Sequence, residues 1–369
     1  YTIPPKTLAQ GYWELLLSHD FLTLTALVIA ITALGTLLKE LGFLNRLAAA
    51  CQGLYGGSKT AVAIMPGLVG LMPMPGGSLL SAPLVNSVLN HPRYTPHMKC
   101  AANYWFRHLA EFSWPVYAGL ILTEAITGLS IARVALLQLP LAVLMFILGL
   151  LFFVTRIKDG SAGHHSLWRP LLSIAGSVWP VVLAIVLYGL IGLQLVLSVV
   201  ISIVLLAIVA RPTKDNVVKS FKDALSPKLV LLVFGVLSFQ MVIEMSGGVE
   251  AISILATDYH LPEELIVFIV LFTIGLLTGM VSAYVGLGYT LVAGLLYQPE
   301  LQPGLIMLAY LSGFIGIILS PAHLCLILTN NYFGSDIMKV YKELALPLLF
   351  LAIGGYLLYL SDYGALFAP

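Results

Sequence analysis

The segment LMPMPGGSLLSAP, Leu71 to Pro83, holds three prolines and two glycines, yet it lies within a run from Thr60 to Asn90 that carries no charged residue. Apolarity on that scale marks a membrane segment. Proline and glycine, however, interrupt the hydrogen-bond ladder of a plain spanning helix. Lys59 precedes the run and Arg93 and Lys99 follow it; basic flanks belong on the cytoplasmic side, so the run enters and leaves by one face. Each arm of about 14 residues reaches roughly 21 Å at 1.5 Å per residue, past the midplane without crossing. The segment therefore reads as a re-entrant hairpin, with Pro73, Pro75, Gly76 and Gly77 turning the chain at its tip.

Composition agrees. Of 369 residues, 59% are apolar and 9% charged, and the net charge is +1. A soluble domain carries about 25% charged residues, so an all-α polytopic membrane protein is expected. No basic field is present of the kind that nucleic acid requires, which excludes that partner. Cys51, Cys100 and Cys325 show no metal or redox spacing and read as buried small hydrophobes. The opening YTIPPKTL lacks Met, which leaves an upstream segment open.

Ordinary spans are predicted at Phe21 to Leu38, Val134 to Thr155, Leu171 to Gly192, Leu193 to Ala210, Lys228 to Met245 and Leu344 to Leu360. Between them lie two punctuated regions, Thr60 to Thr127 and Leu265 to Phe333. FSWPVYAGLILTEAITG (Phe112 to Gly128) and ILSPAHLCLILTNNYFG (Ile318 to Gly334) superpose at a shift of 206, with LILT identical. The chain thus reads as a duplication. Repeat 1 covers residues 18–155, with a hairpin at 60–90 and a broken helix at 97–127. A linker with two spans covers 156–223. Repeat 2 covers 224–362, with a hairpin at 263–298 and a broken helix at 304–333. Lys39, Arg46 and Lys59 place the far end of the first span inside, whereas the matching segment of repeat 2, SGGVEAISILATDYHLPEEL, has acids and no Lys or Arg. The copies therefore have opposite topology, an inverted repeat of the kind found in many secondary transporters. The second hairpin enters from outside, with its tip expected at Tyr284 to Gly288.

Irregular backbone at membrane depth is tolerated where it lines a polar cavity or is buried in protein. Ser113-Trp114-Pro115 and Ser320-Pro321 each read as the start of a half-helix, whose N-terminus offers free N–H groups and partial positive charge to an anion. The expected substrate-binding set is Pro75, Gly76, Gly77, Ser78, Ser81, Arg107, His108, Ser113, Tyr284, Gly286, Gly288, Ser320 and His323. Glu111, Glu124, Thr329, Asn330 and Asn331, with carbonyls released at the tips and breaks, suit a coupling ion, Na+ or H+. Alternatives stand beside these roles. Arg107 and Glu111 at i, i+4 also read as a structural ion pair, the two histidines as satisfied core residues or proton relays, and Glu124 as a cap.

MPMPGGSLLSAP, NYWFRHLAEFSWPVYAGLIL and LSPAHLCLILTNNYF together resemble a prokaryotic membrane-protein family of unknown function grouped with the ion transporter superfamily. LSPAHLCLILT is also similar to gluconate and dicarboxylate permeases. The Ser-Asn-Thr signature of divalent anion/sodium symporters is absent from both tips. The resemblance implies a homodimer in the cytoplasmic membrane of a prokaryote that moves small organic anions by an elevator mechanism. The reading is a secondary active transporter of a carboxylate-type metabolite, with no cofactor beyond the coupling ion and with membrane lipid as its other partner. The alternatives are an intramembrane enzyme, with His108, Glu111 and His323 as metal ligands or acid/base groups, and a passive channel.

Single cysteines introduced at Lys59 and Asn90 should both react with an impermeant maleimide from the cytoplasmic face, and one at Pro262 from the opposite face. Labelling of Lys59 and Asn90 from opposite faces would refute the re-entrant reading.

Overall fold

The computed structural model describes residues 3–52, 57–71, 77–158, 168–246, 261–297 and 300–368. All regular secondary structure among the described residues is helical. Five segments are long and apolar enough to cross a bilayer: His19–Glu40, Ile131–Arg156, Leu171–Gly189, Pro303–Phe333 and Ile337–Leu360. The protein is a polytopic α-helical membrane protein.

In chain order the first helices are α1 (Pro5–Leu17), α2 (His19–Glu40) and α3 (Phe43–Gln52). Ser18 caps α2 by accepting from Phe21 N, and Asp20 and Lys39 stand at the ends whose dipole charge each opposes. The first punctuated region forms α4 (Gly57–Gly70) and α5 (Ser78–Val88). Ser58 Oγ donates to Val88 O at 3.1 Å, so the far ends of the two arms meet and the pair runs antiparallel. Gly77 is the buried N-cap of α5. Pro73, Pro75 and Gly76 lie outside the described residues.

The first broken helix consists of α6 (Pro96–Arg107), a 3-10 turn at Leu109–Glu111 and α7 (Ala118–Thr127). Then follow α8 (Ile131–Phe152), α9 (Trp168–Gly189), α10 (Leu195–Ala210), the amphipathic α11 (Lys214–Ala224) and α12 (Pro227–Ser246). Lys219 Nζ donates to Glu40 at 2.8 Å, which brings basic α11 to the Lys39 end of α2. This contact raises the Lys219 pKa, the hydrogen bond to Glu40 being the main cause.

The second punctuated region begins with α13 (Glu263–Thr278) and returns through short helical pieces from Val281 to Leu296, with a π-helical turn at Tyr284–Gly288. Here the sequence expectation needs correction. Gly288 faces Leu271, a side-chain carbon of which would lie 2.2 Å from a Cβ on the glycine. The reversal therefore lies near Gly279 and Met280, five residues before the expected tip, and Tyr284, Gly286 and Gly288 belong to the returning arm. Gly279 takes φ +64°, and its bare Cα lets His323 N approach to within 2.7 Å of where a Cβ would be. Gly286 fits against Val236 of α12 in a similar way.

The second broken helix consists of α14 (Pro303–Leu319) and α15 (Leu324–Phe333), followed by α16 (Ile337–Leu360). Helices α7 and α15 begin and end 206 residues apart, and each is closed by a left-handed glycine, Gly128 at φ 72° and Gly334 at φ 58°. Helices α8 and α16, which also correspond, lie against each other and run antiparallel. Arg156 pairs with Glu343, the rings of Phe152 and Phe350 meet at a tilt with centroids 5.8 Å apart, and Tyr363 OH donates to Leu136 O. In both halves a hairpin helix touches a broken helix through glycine. A Cβ on Gly70 would meet Arg107 O at 2.5 Å, and one on Gly275 would meet Gly313 O at 2.4 Å.

Gly275→Leu should therefore lower stability by about 1–3 kcal/mol through overpacking. Gly176→Ala, in open space on α9, should be neutral or stabilising by up to about 1 kcal/mol. Thermal unfolding in detergent compares the two; equal melting temperatures would refute the close backbone approach.

Candidate functional site at the helix breaks

Where a helix breaks, carbonyls lose their intrahelical partners. The buried ones must find others. At the two breaks these partners are mostly side chains from another segment, and this gathers polar groups in the interior.

Tyr104 OH lies 3.4 Å from Ile317 O and 3.3 Å from Ile318 O, while Tyr310 OH donates to Glu111 O at 2.7 Å. The two contacts are reciprocal, since Tyr104 and Tyr310 are 206 residues apart, as are Glu111 and Ile317. Tyr117, the N-cap of α7, donates its hydroxyl to Gly70 O at the end of α4. His323, the N-cap of α15, meets Gly279 O through Nδ1 at 2.7 Å. Each half-helix is thus tethered at its first residue to the hairpin of its own half. Ser78 Oγ donates to Cys325 O at 2.9 Å, and Asn103 Nδ2 donates to Ser78 O at 2.9 Å, which joins hairpin 1 to α15 and α6.

The charged groups sit inside this frame. Arg107, His108, Glu111 and His323 are all buried. Arg107 Nη1 donates to Tyr117 OH at 2.9 Å and lies 3.7 Å from Glu111 Oε1. His108 Nδ1 meets Tyr104 O at 2.6 Å, and its Nε2 faces His323 Nε2 at 3.1 Å and Glu111 Oε1 at 3.8 Å. Cys325 Sγ completes a group with the two histidines in which the three donor atoms lie within 4.8 Å of one another. Such a group can share a proton, hold a cation or present fixed charge to an anion.

Of the expected site residues, the structure brings together Ser78, Arg107, His108, Glu111 and His323. Ser81 is buried nearby and bonds to Ser78 O. Ser113 and Ser320 do not cap the half-helices. α7 starts at Ala118 and α15 at Leu324, three residues beyond each proline. Ser320 Oγ instead accepts from Ala322 N at 3.2 Å, a local turn that competes with capping. Ser113 is half-buried beside Gly67, Leu109 and Ala142. The ion candidates disperse. Glu124 Oε1 accepts from Ile131 N at 3.0 Å at the start of α8, and Asn330 accepts from Ser335 in the matching turn. Thr329 Oγ1 donates to Cys325 O, and Asn331 is exposed. Tyr284 packs on Gly313 and Tyr310.

Sequence reasoning missed Tyr104, Tyr117, Tyr310, Asn103 and Cys325. Tyr104 and Tyr310 are an identical pair at the 206-residue shift, which was a usable signal. Cys325 stands two residues after His323, a short spacing that only the fold connects to His108.

The family described as "Protein of unknown function (DUF401)" matches residues 6–361, and the chain belongs to it. No curated protein sequence matches the chain. Among solved structures, the chain is similar to the crystal structure of the YdaH transporter of Alcanivorax borkumensis, described as having an unusual topology. The identity is 15%, 98% of this chain and 89% of that one are covered, and the TM-score is 0.61. At that identity the likeness is one of fold.

Removing the hydroxyl in Tyr117→Phe strands both Gly70 O and a guanidinium N–H, and should cost about 1–3 kcal/mol. Tyr341→Phe removes a buried hydroxyl that has no partner among the described residues and should cost nothing measurable. Unfolding in detergent checks the difference; equal losses would show that the Tyr117 bridge contributes nothing.

Proposed function

We propose that the protein is a secondary active transporter of a small carboxylate-type anion, coupled to Na+ or H+. On this reading two inverted repeats alternate access to one central site by an elevator movement, within a homodimer in the cytoplasmic membrane of a prokaryote. The observation that carries it is the reciprocal contact of the two broken helices, Tyr104 to Ile317 O and Tyr310 to Glu111 O, at positions 206 apart. Reciprocity of that kind follows from a local two-fold relation. The antiparallel pairing of corresponding helices α8 and α16 supports an axis lying in the membrane plane, as inverted repeats require. The fold likeness to a transporter structure supports the same reading.

The substrate class rests on what surrounds the start of α7. A cavity of about 170 Å³ is lined by α2, α12, Val116, Ala118 and Ser282. Its walls are mostly apolar, with hydroxyls from Thr32 and Ser282. The N-terminus of α7 lends it partial positive charge, and Arg107 is bonded to the N-cap residue Tyr117. A small anion with an apolar body suits these walls better than a polyanion.

Reconstituted in liposomes, the protein should accumulate short carboxylates under an imposed Na+ or proton gradient and lose that accumulation when an ionophore collapses it. Ala118→Leu should abolish uptake while leaving the melting temperature near wild type. Uptake indifferent to every gradient, or unaffected by Ala118→Leu, would refute the reading.

A further inference from the structure

The two histidines at the breaks present a chemical problem. A backbone carbonyl only accepts hydrogen bonds, so His108 Nδ1 must carry the proton it directs at Tyr104 O, and His323 Nδ1 the proton it directs at Gly279 O, at 2.6 and 2.7 Å. In the neutral rings both Nε2 atoms are then bare lone pairs, and they face each other at 3.1 Å. Two acceptors at that distance, both fully buried or nearly so, repel unless something positive stands between them.

From this arrangement we infer a binding site for one divalent cation of the zinc type, held by His108 Nε2, His323 Nε2 and Cys325 Sγ, with Glu111 as the fourth ligand. A tetrahedral Zn2+ holds two imidazole nitrogens at about 2.0–2.1 Å each, hence roughly 3.3 Å apart, close to the separation found. The thiol sulfur is already within 4.8 Å of both nitrogens. Glu111 Oε2 is buried with no hydrogen-bond partner among the described residues, and Oε1 lies 3.8 Å from His108 Nε2. Both rings also make the outer contact usual for metal ligands: the second ring N–H given to a carbonyl, which fixes the tautomer and aims the free nitrogen inward. Thiolate with imidazole is a donor set that favours zinc over hard cations such as sodium or magnesium.

The ligands come from two places in the chain. His108 and Glu111 follow α6 in the first half, whereas His323 and Cys325 open α15 in the second. A bound ion would therefore tie the two broken helices together. Three donors already converge, and Glu111 drawn in from its place 3.8 Å from His108 Nε2 would close the set, the pattern of a structural site, while a catalytic zinc keeps one position open. The inference stands apart from the transport reading, because metal binding is measured without any substrate.

The full-length protein, purified in detergent and stripped with a chelator, should bind one equivalent of Co2+. The spectrum should show the thiolate-to-cobalt charge-transfer band and the visible bands of tetrahedral cobalt, both erased by Zn2+. Cys325→Ser should lose the charge-transfer band and bind Co2+ at least about tenfold more weakly, and His323→Ala should bind at background level. Zn2+ should raise the melting temperature of the wild type and not that of Cys325→Ser. The wild-type spectrum alone decides the thiolate ligand, even if a variant fails to fold. Absence of stoichiometric binding, or cobalt bound without a thiolate band, would overturn the site. In that case a proton shared between the two Nε2 atoms is what relieves their repulsion.

Discussion

A carbonyl freed at a helix break inside a membrane has no water to turn to, and leaving it unpaired costs several kcal/mol. The interior of this protein is organised around that cost. Gly70 O is met by Tyr117, Glu111 O by Tyr310, Gly279 O by His323 and Tyr104 O by His108. In most of these the donor comes from a different segment from the acceptor. Satisfying the backbone and docking the hairpins on the broken helices are therefore the same act. The glycines at Gly70, Gly275 and Gly279 follow from it, because side-chain donors can reach only if the backbones come close.

That constraint also separates what could be read in the sequence from what could not. The helical, membrane-spanning character of the chain and several of its spans were legible because apolar length is a pattern along the chain, and the recurrence at 206 reappears in the matching bounds of α7 and α15. Gly128 and Gly334, matched at the same shift, close α7 and α15 in the structure. The location of the second tip was not legible, since SAYVGLG looks like a turn by composition. Gly286 and Gly288 instead serve packing against Val236 and Leu271, and a single glycine, Gly279, carries the reversal. Composition cannot distinguish a glycine that turns from a glycine that lets a neighbour in.

The candidate site was legible by half for a related reason. Arg107, His108, Glu111 and His323 stand out because ionisable groups are rare in apolar segments. Ser113 and Ser320 were assigned by the rule that serine before proline opens a helix, yet the chain continues three residues further before turning helical. The starts of α7 and α15 are set by Tyr117 and His323, whose side chains reach across to the hairpins, and a long-range tether outweighs a local cap. Cys325 and the tyrosines were invisible to any local rule, because their partners are distant in sequence.

The recurrence at 206 residues sharpens what the centre can be. At a shift of 206, His108 corresponds to Phe314, Arg107 to Gly313, Glu111 to Ile317, His323 to Tyr117 and Cys325 to Gly119. A two-fold relation would generate a second cluster from the residues in those places, and they are almost wholly apolar. That second position is closed: the ring of Tyr284 lies against Gly313 and the hydroxyl of Tyr310 against Gly119, each nearer than any Cβ would permit. The two halves thus keep the scaffold contacts in common, the paired tyrosines and the glycine approaches, while the charge is confined to one side. A protein with equal copies would offer two equivalent polar centres, whereas this one offers a single centre flanked by an aromatic plug.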